Sequence, residues 1–379
     1  MKENRISVLH VLSDRSFGGA LSWLESFFTE ADHRHFRYGV ILPHQSEAEK
    51  RLSSFPISLI PLAMQESSAC PASPLALARA IAAFSPDILQ THGAFLARAI
   101  APLVTPRAYL ILTKHCVFES FRSRHPHLAA PLAWVLRPFT HASIATADCA
   151  KELLMREGFC EKSILTIPNG VKRAVLPKPD VLRAWQKKYA ASDALLTVGF
   201  CARLEKEKNP FFLLALARIV ARVGTPIRFL VIGEGTQRKM LERQVKASGL
   251  SPLFIFTGYL ADPLPVLSLC HVLLNCSTLS ETRSLALLEG FSLGIPAVAS
   301  DLLGNCEIVR HFENGLLYPK GDALACGALL LRLASDPPLL KRLSHGAKKS
   351  YEKHFTAALT AQRCECFYRA LAAHSSEKH

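Results

Sequence analysis

Two glutamates and the residues between them carry the chemistry most readily read from this chain. Residues 280–296 read S-E-T-R-S-L-A-L-L-E-G-F-S-L-G-I-P, with Glu281 and Glu289 eight positions apart. An apolar run, residues 272–276, comes before, and another, residues 296–300, comes after. The stretch therefore reads as the loop and helix of a β-loop-α-loop-β unit. Ser280 is the expected N-cap and the helix is predicted to start near Ser284; Gly294 and Pro296 end it as a left-handed residue followed by a breaker. Eight residues of helix rise about 12 Å. Free backbone N–H groups at Ser284, Leu285 and Ala286 would lie between the carboxylates. A helix N-terminus binds phosphate, and a carboxylate binds sugar hydroxyls. The order carboxylate, anion pocket, carboxylate fits a sugar–diphosphate–ribose ligand laid along the helix start.

Further candidates fall where strands are predicted to end. Residues 6–12 are a strand pattern running into Gly18-Gly19-Ala20 and an amphipathic helix over residues 21–30. The pair of glycines either faces an anion or ligand or makes a tight turn; without GxGxxG it is no dinucleotide fingerprint. Residues 86–93 form a strand delivering His92 and Gly93, and residues 108–115 one delivering His115. Strand carboxyl ends are where open α/β sheets place ligands. A lone histidine is usually structural; two at strand ends raise the expectation that at least one is functional. A turn, Asn169-Gly170-Val171, precedes Pro- and Lys-containing residues 172–179, the best linker in the chain. The β/α alternation then restarts. Arg203 and Lys208 follow one strand, and Gly233-Glu234-Gly235 follows the next. Two consecutive Rossmann-like halves emerge.

Composition bounds these readings. The chain has 379 residues, 49% of them hydrophobic, which favours two domains with large cores. The net charge of +14 favours anionic partners without choosing among nucleic acid, nucleotide and lipid head groups. No nucleic-acid-binding motif accompanies it. Eleven cysteines, with no CxxC pair, point to reduced thiols and against a zinc site. Residues 1–5 do not read as a secretion signal, and no apolar run approaches a spanning helix. Over residues 115–141, Arg122, Arg124 and Arg137 interleave with aromatic and aliphatic residues. That segment is either a surface helix pair with solvated arginines or a basic, apolar face lying on an anionic membrane.

The ordered set of motifs resembles the retaining glycosyltransferases of the GT-B fold, specifically glycosyltransferase family 4. It runs from Gly18-Gly19-Ala20 through Pro86-Asp87-Ile88, Thr91-His92-Gly93, Thr113-x-His115 and Ile167-Pro168-Asn169-Gly170-Val171. It continues with Arg203-Leu204, Lys208, Gly233-Glu234-Gly235 and Phe256-Thr257-Gly258-Tyr259. Last come Glu281-x7-Glu289, Gly294-x-Pro296, Glu307-Ile308-Val309 and Asn314-Gly315-Leu316. Each motif alone is weak; the set at these intervals, covering nearly the whole chain, is strong.

The resemblance implies an α/β GT-B architecture of two Rossmann-like domains facing across a cleft. Residues 1–175 would bind acceptor, residues 176–355 the nucleotide-sugar, and residues 356–379 would return to the N-terminal domain as a helix and polar tail. It implies that Glu281 contacts the donor sugar and Glu289 the ribose, that Arg203 and Lys208 bind the diphosphate, and that Gly233 and Glu234 lie near the base. Gly19 would approach the diphosphate, and His115 would stand beside the reacting sugar. His92 and Asn169 are acceptor-side candidates. On local sequence alone, Glu205 and Glu207 would make Arg203 and Lys208 a solvated loop.

The implied reaction is hexosyl transfer with retention, in which the leaving phosphate oxygen takes the acceptor's proton. No DxD-type motif is present, so neither metal nor other cofactor is expected. The implied acceptor is a glycolipid, oligosaccharide or surface-polysaccharide precursor such as lipopolysaccharide. The expected location is the cytoplasm, with peripheral binding to the inner face of the cell membrane. A nucleotide-sugar epimerase, a soluble disaccharide synthase and an inactive nucleotide-sugar-binding module remain as alternatives. The departure lies after Glu281, where the family's Gly-Phe-Gly is Thr282-Arg283-Ser284. Arg283 is expected to place a cation beside the sugar pocket and to favour a donor with an acidic or unusual group.

Overall fold

The computed structural model describes residues 5–12, 19–64, 73–115, 139–176, 178–189, 196–279 and 282–376, with side chains to residue 373. Glu281, Ser280, Gly18 and most of the basic segment, residues 116–138, lie outside them. Two units divide the chain, Met1–Gly170 with Ala357–His379, and Val171–Thr356. The change at Gly170/Val171 comes a few residues before the expected boundary at 175/176.

The first unit is built on a seven-stranded parallel sheet, in the order β3-β2-β1-β4-β5-β6-β7. Its strands are β1 (Ile6–Leu12), β2 (Phe36–Pro43), β3 (Ser58–Leu62), β4 (Ile88–His92), β5 (Tyr109–Lys114), β6 (Ala142–Ala145) and β7 (Ile164–Thr166). The central strands are apolar along their length because helices cover both faces. One face packs Leu9, Ile41 and Leu89 against the helices Pro74–Phe84 and Phe95–Val104. The other packs Val8, Val40 and Ile88 against Trp23, Leu24 and Phe27 of the helix Gly19–Glu30.

The C-terminal helix, Ala357–Ser376, completes that second face with Ala361, Cys364 and Tyr368. Its buried polar groups are paired. The Tyr368 hydroxyl donates to Gln90 Oε1 at 2.5 Å, and Glu365 accepts from the Asp32 N–H at 2.6 Å and the Tyr38 hydroxyl at 2.8 Å. Carboxylate pairing of this kind offsets the desolvation of a buried glutamate.

The second unit carries a six-stranded parallel sheet, in the order β10-β9-β8-β11-β12-β13. Its strands are β8 (Leu196–Cys201), β9 (Ile227–Ile232), β10 (Phe254–Gly258), β11 (Val272–Asn275), β12 (Ala297–Ser300) and β13 (Gly315–Tyr318). On one side Val198, Phe229 and Val298 meet the helices Phe212–Val223 and Ala323–Ser335. On the other Leu230, Leu273 and Ala299 meet Leu288 and Phe291 of the helix Leu285–Ser292 and Tyr351 of Pro337–His354.

Two expectations need correction. Gly19 is the first residue of its helix, not part of the preceding loop, and a Cβ there would meet nothing within 4 Å, so packing does not demand glycine. The N-cap of the helix Leu285–Ser292 is Ser284, not Ser280. The helix that carries Glu289 therefore begins at Leu285, later than the eight-residue rise expected from the sequence requires. Among the described residues no single helix is long and apolar enough to cross a membrane. No disulfide joins any of the nine described cysteines.

Candidate functional site

In the second sheet the chain winds outward in opposite directions from β8 and β11, which are hydrogen-bonded neighbours. Segments leaving the carboxyl ends of such strands diverge and open a crevice, the general ligand position of an open parallel sheet. Most of the candidates in this unit come off these ends and that of β9.

After β8, the Leu204 N–H donates to the Glu234 carbonyl at 2.7 Å and the Ala202 N–H to the Ile232 carbonyl at 3.1 Å. These bonds lace the segment bearing Arg203 and Lys208 to Gly233-Glu234-Gly235. The fit leaves no space for side chains on the glycines. Gly233 has φ 140°, and a Cβ there would meet the Ala202 carbonyl oxygen; one on Gly235 would stand 2.5 Å from the Leu204 carbonyl oxygen. Glu205 accepts the Thr236 hydroxyl at 2.5 Å and its N–H at 2.9 Å, which holds its carboxyl below the usual range.

The same segment is tied to the exit of β11. The Glu207 carbonyl accepts the Thr278 N–H at 2.9 Å, and Cys276 Sγ lies 3.5 Å from the carbonyl oxygens of Lys208 and Asn209. Arg203 is exposed and pairs with Glu207 at 3.0 Å. Glu234 pairs with Arg238 on the following helix, Arg238–Ala247.

The helix Leu285–Ser292 starts beyond β11. Ser284, at φ −63° and ψ 115°, makes no side-chain capping bond. The first-turn N–H groups, those of Leu285 and Ala286 included, have no acceptor within the helix. With the dipole they form an anion-binding end. Glu289 is half-buried one turn further on. It lies close enough to Cys201, at the end of β8, to add to the effect of burial in pushing that thiol up. Gly294 ends the segment in the left-handed conformation, at φ 77°.

Arg283 does not stand as an unbalanced cation. Its guanidinium lies 2.8 Å from the Glu307 carboxylate, and both side chains are largely buried. The cation expected beside the sugar pocket is thus balanced by a carboxylate of the same unit.

In the first unit, the adjacent ends of β4 and β5 bring His92 and His115 together, and β1 adds His10. His92 Nδ1 is 2.6 Å from His115 Nε2, and His10 Nδ1 is 3.2 Å from His92 Nε2. The rings stack with centroids 4.9 Å and 5.4 Å apart. Burial lowers the pKa of His115 to about 4 and that of His10 to about 3, and puts His92 well below its ordinary value. All three are therefore neutral near pH 7. His10 was not singled out from the sequence: it sits inside an apolar strand, where a histidine reads as core. Asn169 is buried in the segment after the edge strand β7, two strands from β5. Among the described residues no group of three or more His, Cys, Asp or Glu side chains is placed to hold a metal ion.

With this geometry in view, similarity to known proteins is specific. The family model described as Glycosyltransferase Family 4 matches residues 17–175, and that described as Glycosyl transferases group 1 matches residues 183–350. The chain is 28% identical over 278 residues to 2-deoxystreptamine glucosyltransferase of Streptomyces kanamyceticus, covering 69% of this chain and 71% of that protein. It is 30% identical over 228 residues to the lipopolysaccharide core biosynthesis glycosyltransferase LpsD of Rhizobium meliloti, covering 60% and 63%. Among solved structures, Anabaena HepE in complex with UDP-glucose superposes with a TM-score of 0.80 at 19% identity, covering 97% of this chain and 100% of that one.

Proposed function

Because this chain belongs to glycosyltransferase family 4 and has the GT-B fold, we propose that it transfers a sugar from a nucleotide-diphosphate donor with retention of anomeric configuration. The observation that carries the proposal is the assembly at the β8/β11 ends of the second sheet. There the Arg203–Lys208 segment, the Gly233-Glu234-Gly235 turn and the start of the helix Leu285–Ser292 come off neighbouring strands. Cations and first-turn amides suit a diphosphate, and Glu289 suits ribose hydroxyls. Arg203 would exchange Glu207 for the phosphates.

As the donor's glycosidic bond breaks, negative charge grows on the leaving diphosphate. Lys208, Arg203 and the amides of Leu285 and Ala286 would stabilise it in place, which is how preorganised dipoles and charges lower a barrier. The leaving phosphate oxygen takes the acceptor's proton, so no protein nucleophile is needed. These groups neutralise the diphosphate without a divalent ion. Glu281 would hold the sugar and His115 would stand beside it. A uridine nucleotide is the first donor to test, because a structural neighbour binds UDP-glucose.

The acceptor we propose is a precursor of a surface glycolipid or polysaccharide, assembled by a protein at the inner face of the cell membrane. The lipopolysaccharide-core and capsular-polysaccharide roles in the names of relatives support it. A second reading, a small soluble amino-sugar acceptor, is favoured by the 2-deoxystreptamine transferases among the relatives. A thermal-shift screen of UDP, GDP, ADP and their sugar conjugates tests the donor class. Glu281→Ala should abolish transfer with modest loss of nucleotide binding. A fully active Glu281→Ala protein would overturn the assignment, and transfer to lipid-extracted against soluble acceptors separates the two acceptor readings.

A further inference from the structure

We infer that residues 172–176 and the helix Pro179–Lys188, which follows them in the second unit, dock on an anionic lipid bilayer. This deepens the proposed location at the inner face of the membrane by assigning the surface that touches it, and it is independent of the transfer reaction. The surface is also separate from the basic segment 115–141, which belongs to the first unit.

Charge comes first. Residues 172–188 carry six cations, Lys172, Arg173, Lys178, Arg183, Lys187 and Lys188, against one acid, Asp180. All six cations are exposed. Elsewhere in this unit Arg203, Arg238 and Arg310 pair with nearby glutamates, whereas none of these six forms an ion pair among the described residues. A surface of this sign is complementary to a bilayer bearing anionic head groups, and each Lys or Arg near the bilayer strengthens binding by about fivefold.

Aliphatic side chains stand among these charges. Val175 is 81% exposed, Leu176 61% and Val181 40%. Packing accounts for the inner face of the helix but not for these. Pro179 sits in the first turn, where a missing N–H costs nothing. Leu182 and Trp185 pack onto the core of the second unit, and Tyr189, just after the helix, is buried in it. Arg183, Ala184 and Lys187 are left to solvent, with Val181 exposed beside them. Exposed aliphatic groups interleaved with cations suit the boundary between head groups and acyl chains, where the aliphatic groups are buried and the cations meet phosphates.

The same residues disfavour a nucleic acid. Single strands bind by stacking bases on aromatic rings. Here Trp185 and Tyr189 stack on each other, with centroids 5.5 Å apart at 10°, and Lys188 Nζ lies over the two rings at 4.9 and 5.3 Å. These rings are committed to each other and to Lys188. A duplex is held through its phosphates and gains nothing from Val175 and Leu176.

Co-sedimentation with lipid vesicles tests the inference. The protein should bind vesicles of phosphatidylcholine mixed with phosphatidylglycerol, bind far less to phosphatidylcholine alone, and be released as salt is raised. Two double variants, both at exposed positions outside the candidate donor site, assign the surface. Arg173→Ser with Arg183→Ser should weaken vesicle binding by about twentyfold or more. Val175→Ser with Leu176→Ser leaves the charge unchanged and should weaken it by about tenfold. Wild-type protein that does not sediment with the mixed vesicles, or undiminished binding by both pairs, would overturn the inference. If only the arginine pair is impaired, the surface is a site for any polyanion and the bilayer assignment fails. UDP-glucose binding should be the same in wild type and both pairs. Failure to bind vesicles with nucleotide binding intact therefore counts against this inference alone, and failure to bind nucleotide counts only against the transferase reading.

Discussion

Arg283 and Glu307 form a buried ion pair, 2.8 Å apart, that fastens the loop before the helix Leu285–Ser292 to the residue after the short helix Leu303–Cys306. The pair explains how a charged residue is accommodated in this buried position. Thr282 is buried beside it. The loop is therefore held by side-chain pairing rather than by the close backbone approach that glycine permits.

Breaking one half of such a pair leaves a charge without compensation, at a cost of about 3–5 kcal/mol. Arg283→Met and Glu307→Gln should each destabilise the protein by amounts in that range. The double variant should cost clearly less than the sum, measured by urea unfolding as a double-mutant cycle. Additive effects would show that the two side chains act independently. Arg283→Phe should lower stability without changing which donor sugar is preferred.

Gly233 sets the spacing between the β9 exit and the segment that carries Arg203. A Gly233→Ala substitution places a methyl group against the Ala202 carbonyl in a backbone conformation that disfavours side chains. The Leu204–Glu234 bond should be lost and the loops should separate. The expected outcome is weaker nucleotide binding by about tenfold, or 1.4 kcal/mol, in calorimetry, with the far-UV spectrum unchanged. Wild-type affinity in Gly233→Ala would contradict this.

The histidine row predicts how stability responds to acid. The folded pKa of His10 is about 3 and that of His115 about 4, both below the ordinary 6.5, and His92 is also depressed. Between those values and 6.5 the unfolded chain binds more protons than the folded one, so stability rises with pH and is lost as pH falls below 6.5. His10→Phe removes one of these sites. The slope of unfolding free energy against pH between 4 and 6 should become shallower by up to about 1.4 kcal/mol per pH unit. Comparison with wild type cancels the carboxylates common to both. An unchanged slope would mean that His10 is not buried neutral.

The alternating strands and helices were readable because parallel strands covered on both faces are apolar throughout, as β1 and β11 are. The strand-end positions of His92 and His115 were readable for the same reason. His10 was not, because a histidine inside an apolar strand reads as core, and its contact with His92 joins residues far apart in sequence. Ser280 and Ser284 are equally good N-caps by type. Ser284 is the cap that forms, next to Arg283, whose pairing with Glu307 is a contact between residues far apart in sequence. The sequence likewise showed Arg203 flanked by glutamates without revealing that Glu205 is held by Thr236 and Glu207 pairs with Arg203.

The proposed place for a nucleotide-diphosphate sugar is at the β8/β11 ends of the second sheet. Calorimetric titration with UDP-glucose, in buffer containing EDTA, tests it most directly, with GDP- and ADP-sugars as alternatives. At least one of these donors should bind saturably, one to one and without metal, and Lys208→Ala should weaken it about tenfold or more in a protein that remains folded. No binding of any of the three at millimolar concentration, or undiminished binding by Lys208→Ala, would contradict it.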